Sequence, residues 1–105
     1  MLRIFVFETI GTCILTFGIL CSRYIPPLSD KIPNPFHEIS VSFSLYLAIV
    51  LTAPFSGGHY NSAVTCAMFF KKNSNMTKKK LGVYVLAQYL GAMIGSILAL
   101  AIYDC

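Results

Sequence analysis

The residues best equipped for chemistry sit mid-chain, in Ser56-Gly57-Gly58-His59-Tyr60-Asn61-Ser62-Ala63-Val64-Thr65. Two adjacent glycines, Gly57 and Gly58, open backbone conformations closed to other residues. Carbonyls released from helix bonding there can face a cavity as acceptors. Asn61 stands directly before a short apolar run and suits the N-cap of a helix. Its side-chain oxygen can accept a backbone N–H while its NH2 group stays free to donate. The positive end of that helix points the same way. Such a site offers donors and acceptors to a neutral molecule and repels cations, as half-helix dipoles do when they exclude protons from a pore. His59 taken alone suggests a metal ligand or proton relay, but no second ligand stands at suitable spacing, so it reads as structural. Tyr60 and Thr65 read as packing residues. No paired carboxylates, nucleophile with base or phosphate loop appears, which argues against an enzyme.

The rest of the chain must hold this segment at membrane depth, because irregular backbone survives there only inside protein or beside a water-filled cavity. The 105 residues are 56% hydrophobic and 11% charged, whereas soluble domains carry about 25% charged residues. A first apolar segment, about 4–21, is just long enough to span, at ~1.5 Å per residue against a ~30 Å core. A signal peptide is the competing reading, given Met1-Leu2-Arg3. Against it, Glu8 interrupts the apolar run and Ser22-Arg23-Tyr24 is a poor cleavage site. Pro26, Pro27, Pro33 and Pro35 predict a loop over 22–36. A second span covers about 37–55, ending near Pro54 and the glycines. Residues 62–70 are too few to cross a bilayer and too apolar for a solvent loop, which predicts a half-helix dipping partway in. The third span, 81–103, contains no charged residue. In it Ala87, Gly91, Gly95 and Ala99 recur every four residues, a small-residue strip that lets another helix approach closely. Cys13, Cys21, Cys66 and Cys105 read as small buried hydrophobes, with neither a disulfide framework nor a metal site.

Loop charge predicts orientation. With the amino terminus cytoplasmic, Arg3, Lys71, Lys72, Lys78, Lys79 and Lys80 lie inside, and Arg23 and Lys31 outside. Asn75-Met76-Thr77 then faces the cytoplasm and stays unglycosylated. The basic cluster is too short and too poor in aromatic neighbours for a nucleic-acid surface. The expected partners are the lipid bilayer and a small neutral solute. No cofactor is implied.

The mid-chain segment resembles the first Asn-Pro-Ala box of aquaporins and glycerol facilitators, usually Ser-Gly-x-His-x-Asn-Pro-Ala-Val-Thr, with Ser62 where the family has proline. Glu8-Thr9-Ile10-Gly11-Thr12 resembles the family's first-helix Glu-x-x-Gly-Thr, and Ala87-Gln88-Tyr89-Leu90-Gly91-Ala92 its third-helix Ala-Gln-x-x-Gly-Ala. The resemblance covers nearly the whole chain. It implies an all-α membrane fold, with three transmembrane helices plus one re-entrant half-helix, forming one aquaporin-like repeat over 1–105. It implies that carbonyls of Gly57, Gly58 and His59 line half of a pore and that Asn61 donates at its centre. It also implies that Glu8 is a buried carboxyl group steadying the re-entrant loop; a juxtamembrane charge that snorkels is the competing reading. Ser62 lacks the φ restraint of a proline at the first helical turn and adds a hydroxyl and an N–H, so the loop is expected to fold slightly looser.

A selectivity residue is implied on the second helix. Counting without gaps gives Val41, and aligning the aromatic pattern gives Phe43. Glu38-Ile39-Ser40-Val41 and Leu51-Thr52-Ala53 look more like glycerol facilitators than strict water channels. The family's pore needs two inverted repeats, and the chain carries one box. The expectation is a channel passing water or glycerol only with a second repeat, supplied by a partner half or a homo-oligomer. The alternatives are a non-conducting fragment, from a truncated or partial gene product, and a modulatory membrane partner of full-length channels.

Overall fold

The structure is a computed structural model and describes residues 1–23, 35–71 and 76–103. The proline loop, Lys31, Asn75 and Cys105 therefore lie largely or wholly outside the described residues, as does the expectation for the sequon. The described chain forms four helices, α1 (Leu2–Ser22), α2 (Pro35–Ser56), α3 (Ser62–Phe70) and α4 (Lys78–Tyr103). Three of them, α1, α2 and α4, are long and apolar enough to cross a membrane. α4 starts about one turn before the start of the apolar run at Leu81, because Lys78, Lys79 and Lys80 form its first turn and the Thr77 hydroxyl accepts from the Lys80 N–H at 3.1 Å.

The distribution of side chains is inverted relative to a water-soluble bundle. The largest fully buried side chains are Glu8, Thr52, Thr65 and Ser22. Leu2, Ile39, Leu86, Met93 and Ile97 are exposed. A lipid solvent explains this, since tails accept apolar surface freely while unpaired polar groups cost several kcal/mol. Several hydroxyls along the helices are satisfied within their own helix, although the buried Thr12 hydroxyl has no partner among the described residues. Thr9 donates to the Phe5 carbonyl at 2.7 Å, Ser44 to Ser40 at 2.8 Å, and Ser96 to Ala92 at 2.7 Å.

Lipid supplies no hydrophobic drive between helices, so close approach and dispersion hold them together. α1 is the central helix. A Cβ on Gly91 would press on the Thr9 carbonyl and lie 2.9 Å from the Thr12 Cβ; one on Gly95 would lie 2.7 Å from the Cys13 carbonyl oxygen. Advancing four residues on α4 advances about four on α1, so these helices run parallel. Ala87 and Ala99 continue the strip and are at most 1% exposed. On its other flank α1 meets α2 antiparallel. A Cβ on Gly11 would strike the Tyr60 ring and lie 2.7 Å from Thr52 Oγ1, and one on Gly18 would strike Ser44. At the far end Ser22 Oγ and His37 Nδ1 are 2.6 Å apart. Cys13 and Cys21 are half-buried, but Cys66 is exposed on α3. It adjoins Thr65, whose side chain turns inward, so the reading of Cys66 as a buried hydrophobe does not hold.

Candidate functional site

α2 ends where its sequence stops supporting helix. Pro54 offers no N–H to the carbonyl four residues back. Gly57 still donates to Ala53 at 2.8 Å, but with φ +93° it turns the chain out of the helix. Gly58 follows at φ +70°. Both values lie in the left-handed region that glycine enters without steric cost. Tyr60 is also left-handed, at φ 55°, which costs a non-glycine residue ~1 kcal/mol or more. Its surroundings compensate. The Tyr60 N–H donates to Glu8 Oε1, its hydroxyl donates to the Ala48 carbonyl at 3.0 Å, and the same hydroxyl meets Thr52 Oγ1 at 2.5 Å.

Asn61 caps α3 as its position predicts. Its side-chain oxygen accepts from the Ala63 N–H at 2.8 Å, and the residue is exposed. Gln88 lies seven residues beyond Leu81, where the uncharged run of α4 begins, ~10 Å along the helix at ~1.5 Å per residue, or about a third of the way into a ~30 Å hydrocarbon core. The loop meets α4 at that depth. Gln88 Nε2 donates to Glu8 Oε1 at 3.1 Å and to Thr65 Oγ1 at 2.8 Å, while Gln88 Oε1 accepts from the Ser62 hydroxyl at 3.0 Å. Thr65 Oγ1 donates to the Asn61 carbonyl at 3.2 Å and lies 3.1 Å from His59 Nδ1. With the Thr65 proton committed to Asn61, His59 must carry its proton on Nδ1 to complete the contact. His59 also stacks on Tyr84, with ring centroids 4.1 Å apart and planes 16° apart. The Tyr84 hydroxyl donates to the Ser56 carbonyl, pinning the turn that the two glycines make.

The site thus gathers Glu8, His59, Asn61 and Ser62 with Gly57 and Gly58 around one re-entrant turn. Glu8 is 0% exposed, so it does not snorkel. Tyr60 and Thr65 are buried, and both also hydrogen-bond. Gln88 and Tyr84 escaped sequence reasoning as loop supports. The available signal was an amide inside a charge-free apolar span, since a polar residue in such a span is a functional candidate by default. The strip Ala87, Gly91, Gly95 and Ala99 lies against α1 instead of at the loop.

The two filter candidates sit on different faces. Val41 is half-buried and lies three and seven residues before the buried Ser44 and Ala48, on the inward stripe of α2. Phe43 is 63% exposed and lines a groove of about 500 Å³ with Cys13, Phe17, Cys21 and Leu47. Phe17 and Cys21 are ~180° and ~220° round α1 from Glu8 at ~100° per residue. Gly18, Ser22, Ser40 and Ser44 also line it, so the groove runs along the α1–α2 seam behind α1, toward the end where Ser22 meets His37 and away from the loop.

Two apolar helices of membrane-spanning length flanking a third, with a half-helix entered through a glycine turn, define one repeat of an all-helical membrane protein. A family model described as major intrinsic protein matches residues 1–104, and the chain belongs to that family. It is 36% identical over 100 residues to the propanediol uptake facilitator PduF of Salmonella typhimurium, covering 92% of this chain and 36% of that protein. It is 38% identical over 97 residues to a probable TIP-type aquaporin of Medicago truncatula, covering 87% and 38%. It is 31% identical over 103 residues to a glycerol uptake facilitator protein of Buchnera aphidicola, covering 92% and 36%. The chain thus spans little more than a third of the length of these relatives. No solved structure matches the chain.

Proposed function

We propose that the chain forms one repeat of a passive channel for water or small neutral solutes such as glycerol, and that it conducts when joined to a second repeat. The observation that carries this reading is Asn61. Its oxygen is occupied by the Ala63 N–H, its NH2 group is left to donate, and it stands at the positive end of a half-helix. Gly57, Gly58 and His59 would supply carbonyl acceptors along the same path. Glu8 holds the loop directly through the Tyr60 N–H and also binds Gln88, and Ser62 ties the start of α3 to α4 through Gln88. Of the two filter candidates we favour Val41, because Phe43 faces the groove behind α1. A valine leaves more width than an aromatic residue, which suits a solute larger than water. The amino terminus is assigned to the cytoplasm by the lysine bias; a glycan found on Asn75 in a eukaryotic host would reverse that assignment.

The test replaces the amino-terminal repeat of a complete glycerol facilitator with residues 1–104 and measures stopped-flow swelling of proteoliposomes. Glycerol permeability above that of empty liposomes, abolished by Asn61→Leu, is the expected result. An inserted, folded chimaera no more permeable than empty liposomes would refute the channel reading and favour a non-conducting or modulatory role.

A further inference from the structure

We propose that the end of the molecule bearing Lys71, Lys78, Lys79 and Lys80 binds the anionic headgroups of the bilayer that holds the chain. The proposal begins with charge segregation. α1 and α4 are parallel, so Arg3 lies at the same end as the first turn of α4. Lys71 closes α3 seven residues before Lys78 opens α4. Arg3, Lys71, Lys78 and Lys79 are exposed, and Lys80 is half-buried. Among the described residues no carboxyl group faces them. Glu8 is wholly buried and engaged with the Tyr60 N–H and Gln88. Glu38 is in the first turn of α2, at the opposite end of the antiparallel pair.

Depth turns this charge into a headgroup site. The uncharged run from Leu81 to Tyr103 is 23 residues, ~35 Å at the helical rise, enough to fill a ~30 Å core with Lys78, Lys79 and Lys80 just beyond its edge. Three consecutive lysines leave a helix ~100° apart, so they encircle the stem instead of forming one pocket. An aromatic residue marks the boundary. Phe70 is 80% exposed immediately before Lys71 and meets Phe69 edge-on at 5.1 Å. An exposed phenyl ring next to a lysine suits acyl chain below and phosphate above. It does not suit a soluble anion, which would leave the ring in water. Juxtamembrane lysines attract anionic lipid by a factor of about five each at low salt, so three give on the order of a hundredfold preference, which screening shortens as the Debye length falls. The inference holds for whichever leaflet this end faces and does not depend on conduction.

The full chain in neutral detergent micelles tests it, with retained lipid counted by native mass spectrometry. Wild type is compared with Lys78→Gln/Lys79→Gln/Lys80→Gln and with the corresponding triple Lys→Arg protein. Phosphatidylglycerol should be retained at least tenfold over phosphatidylcholine at low salt, and the preference should shrink in high salt. It should collapse in the glutamine variant and survive in the arginine variant. Equal retention of the two lipids by wild type overturns the proposal, and that arm decides alone if the glutamine variant fails to fold. An unchanged preference in a helical, folded glutamine variant also overturns it. Full displacement of phosphatidylglycerol by millimolar inorganic phosphate would reassign the patch to a soluble anion.

Discussion

Replacing Gln88 with methionine keeps the length of the side chain and removes every hydrogen bond between α4 and the re-entrant segment that passes through this residue. Two join α4 to the segment, to Thr65 Oγ1 at 2.8 Å and from the Ser62 hydroxyl at 3.0 Å, and a third, to Glu8 Oε1 at 3.1 Å, joins α4 to α1. A net hydrogen bond is worth ~1 kcal/mol in globular proteins, and measured interhelical bonds in a membrane average ~0.6 kcal/mol. With two bonds to the segment gone, the loop should therefore lose about 1–2 kcal/mol relative to its closed state, which corresponds to roughly 5- to 30-fold more opening at ~1.4 kcal/mol per decade. The main helix contacts lie elsewhere, at Gly91 and Gly95 against α1, so this loss is local. Hydrogen–deuterium exchange resolves it, because amides report the opening free energy of their own unit. Amides of residues 57–65 in Gln88→Met should exchange on the order of tenfold faster, while those in the middle of α1 and α4 change little. If the loop amides speed up less than about threefold, Gln88 is not what closes the loop. If α1 and α4 loosen equally, the loss is global and the network argument fails.

Further outcomes follow from the same geometry. Gly91→Ala should destabilise the bundle by about 1–3 kcal/mol in thermal unfolding, because the new Cβ meets backbone that cannot retreat; Gly82→Ala, with nothing within 4 Å, should be neutral or stabilising by up to ~1 kcal/mol. Ser62→Pro exchanges one hydrogen bond to Gln88 for a fixed φ at the first helical position, so permeability in the chimaera should stay within about tenfold of the parent by stopped-flow swelling. In the same assay Val41→Trp should cut glycerol permeation by about tenfold or more, whereas Phe43→Ala should leave it within about twofold; the reverse ranking would move the filter to Phe43. Tyr84→Phe removes the hydroxyl that holds the Ser56 carbonyl and should cost ~1 kcal/mol, read as faster exchange at Gly57 and Gly58.

Much of the architecture was legible because a bilayer imposes length and polarity rules that one sequence displays directly. Unbroken apolar runs of spanning length, a lysine stop and a proline–glycine break are local features, and they need no partner to be read. The cap at Asn61 was likewise legible, since an N-cap depends on its own neighbours two or three residues on. Glu8 could be given two readings from the chain alone, because snorkelling and burial differ only in what surrounds the side chain.

The remainder depended on contacts between segments far apart in the chain. The Glu8–Tyr60 and Glu8–Gln88 bonds join positions 52 and 80 residues apart, and no periodicity encodes such pairings. Thr65 and Tyr60 read as packing residues because their roles come from what α1, α2 and α4 bring to them. Val41 and Phe43 differ by two residues in sequence, yet ~200° of helix rotation puts one on the inward stripe and the other on the groove behind α1. Sequence by itself determined that this is a membrane repeat with a capped half-helix, because hydrophobic length and capping are short-range physics. Only the tertiary structure decided which polar groups brace that half-helix and what surrounds Val41 and Phe43 on α2, because those are set by where the helices cross.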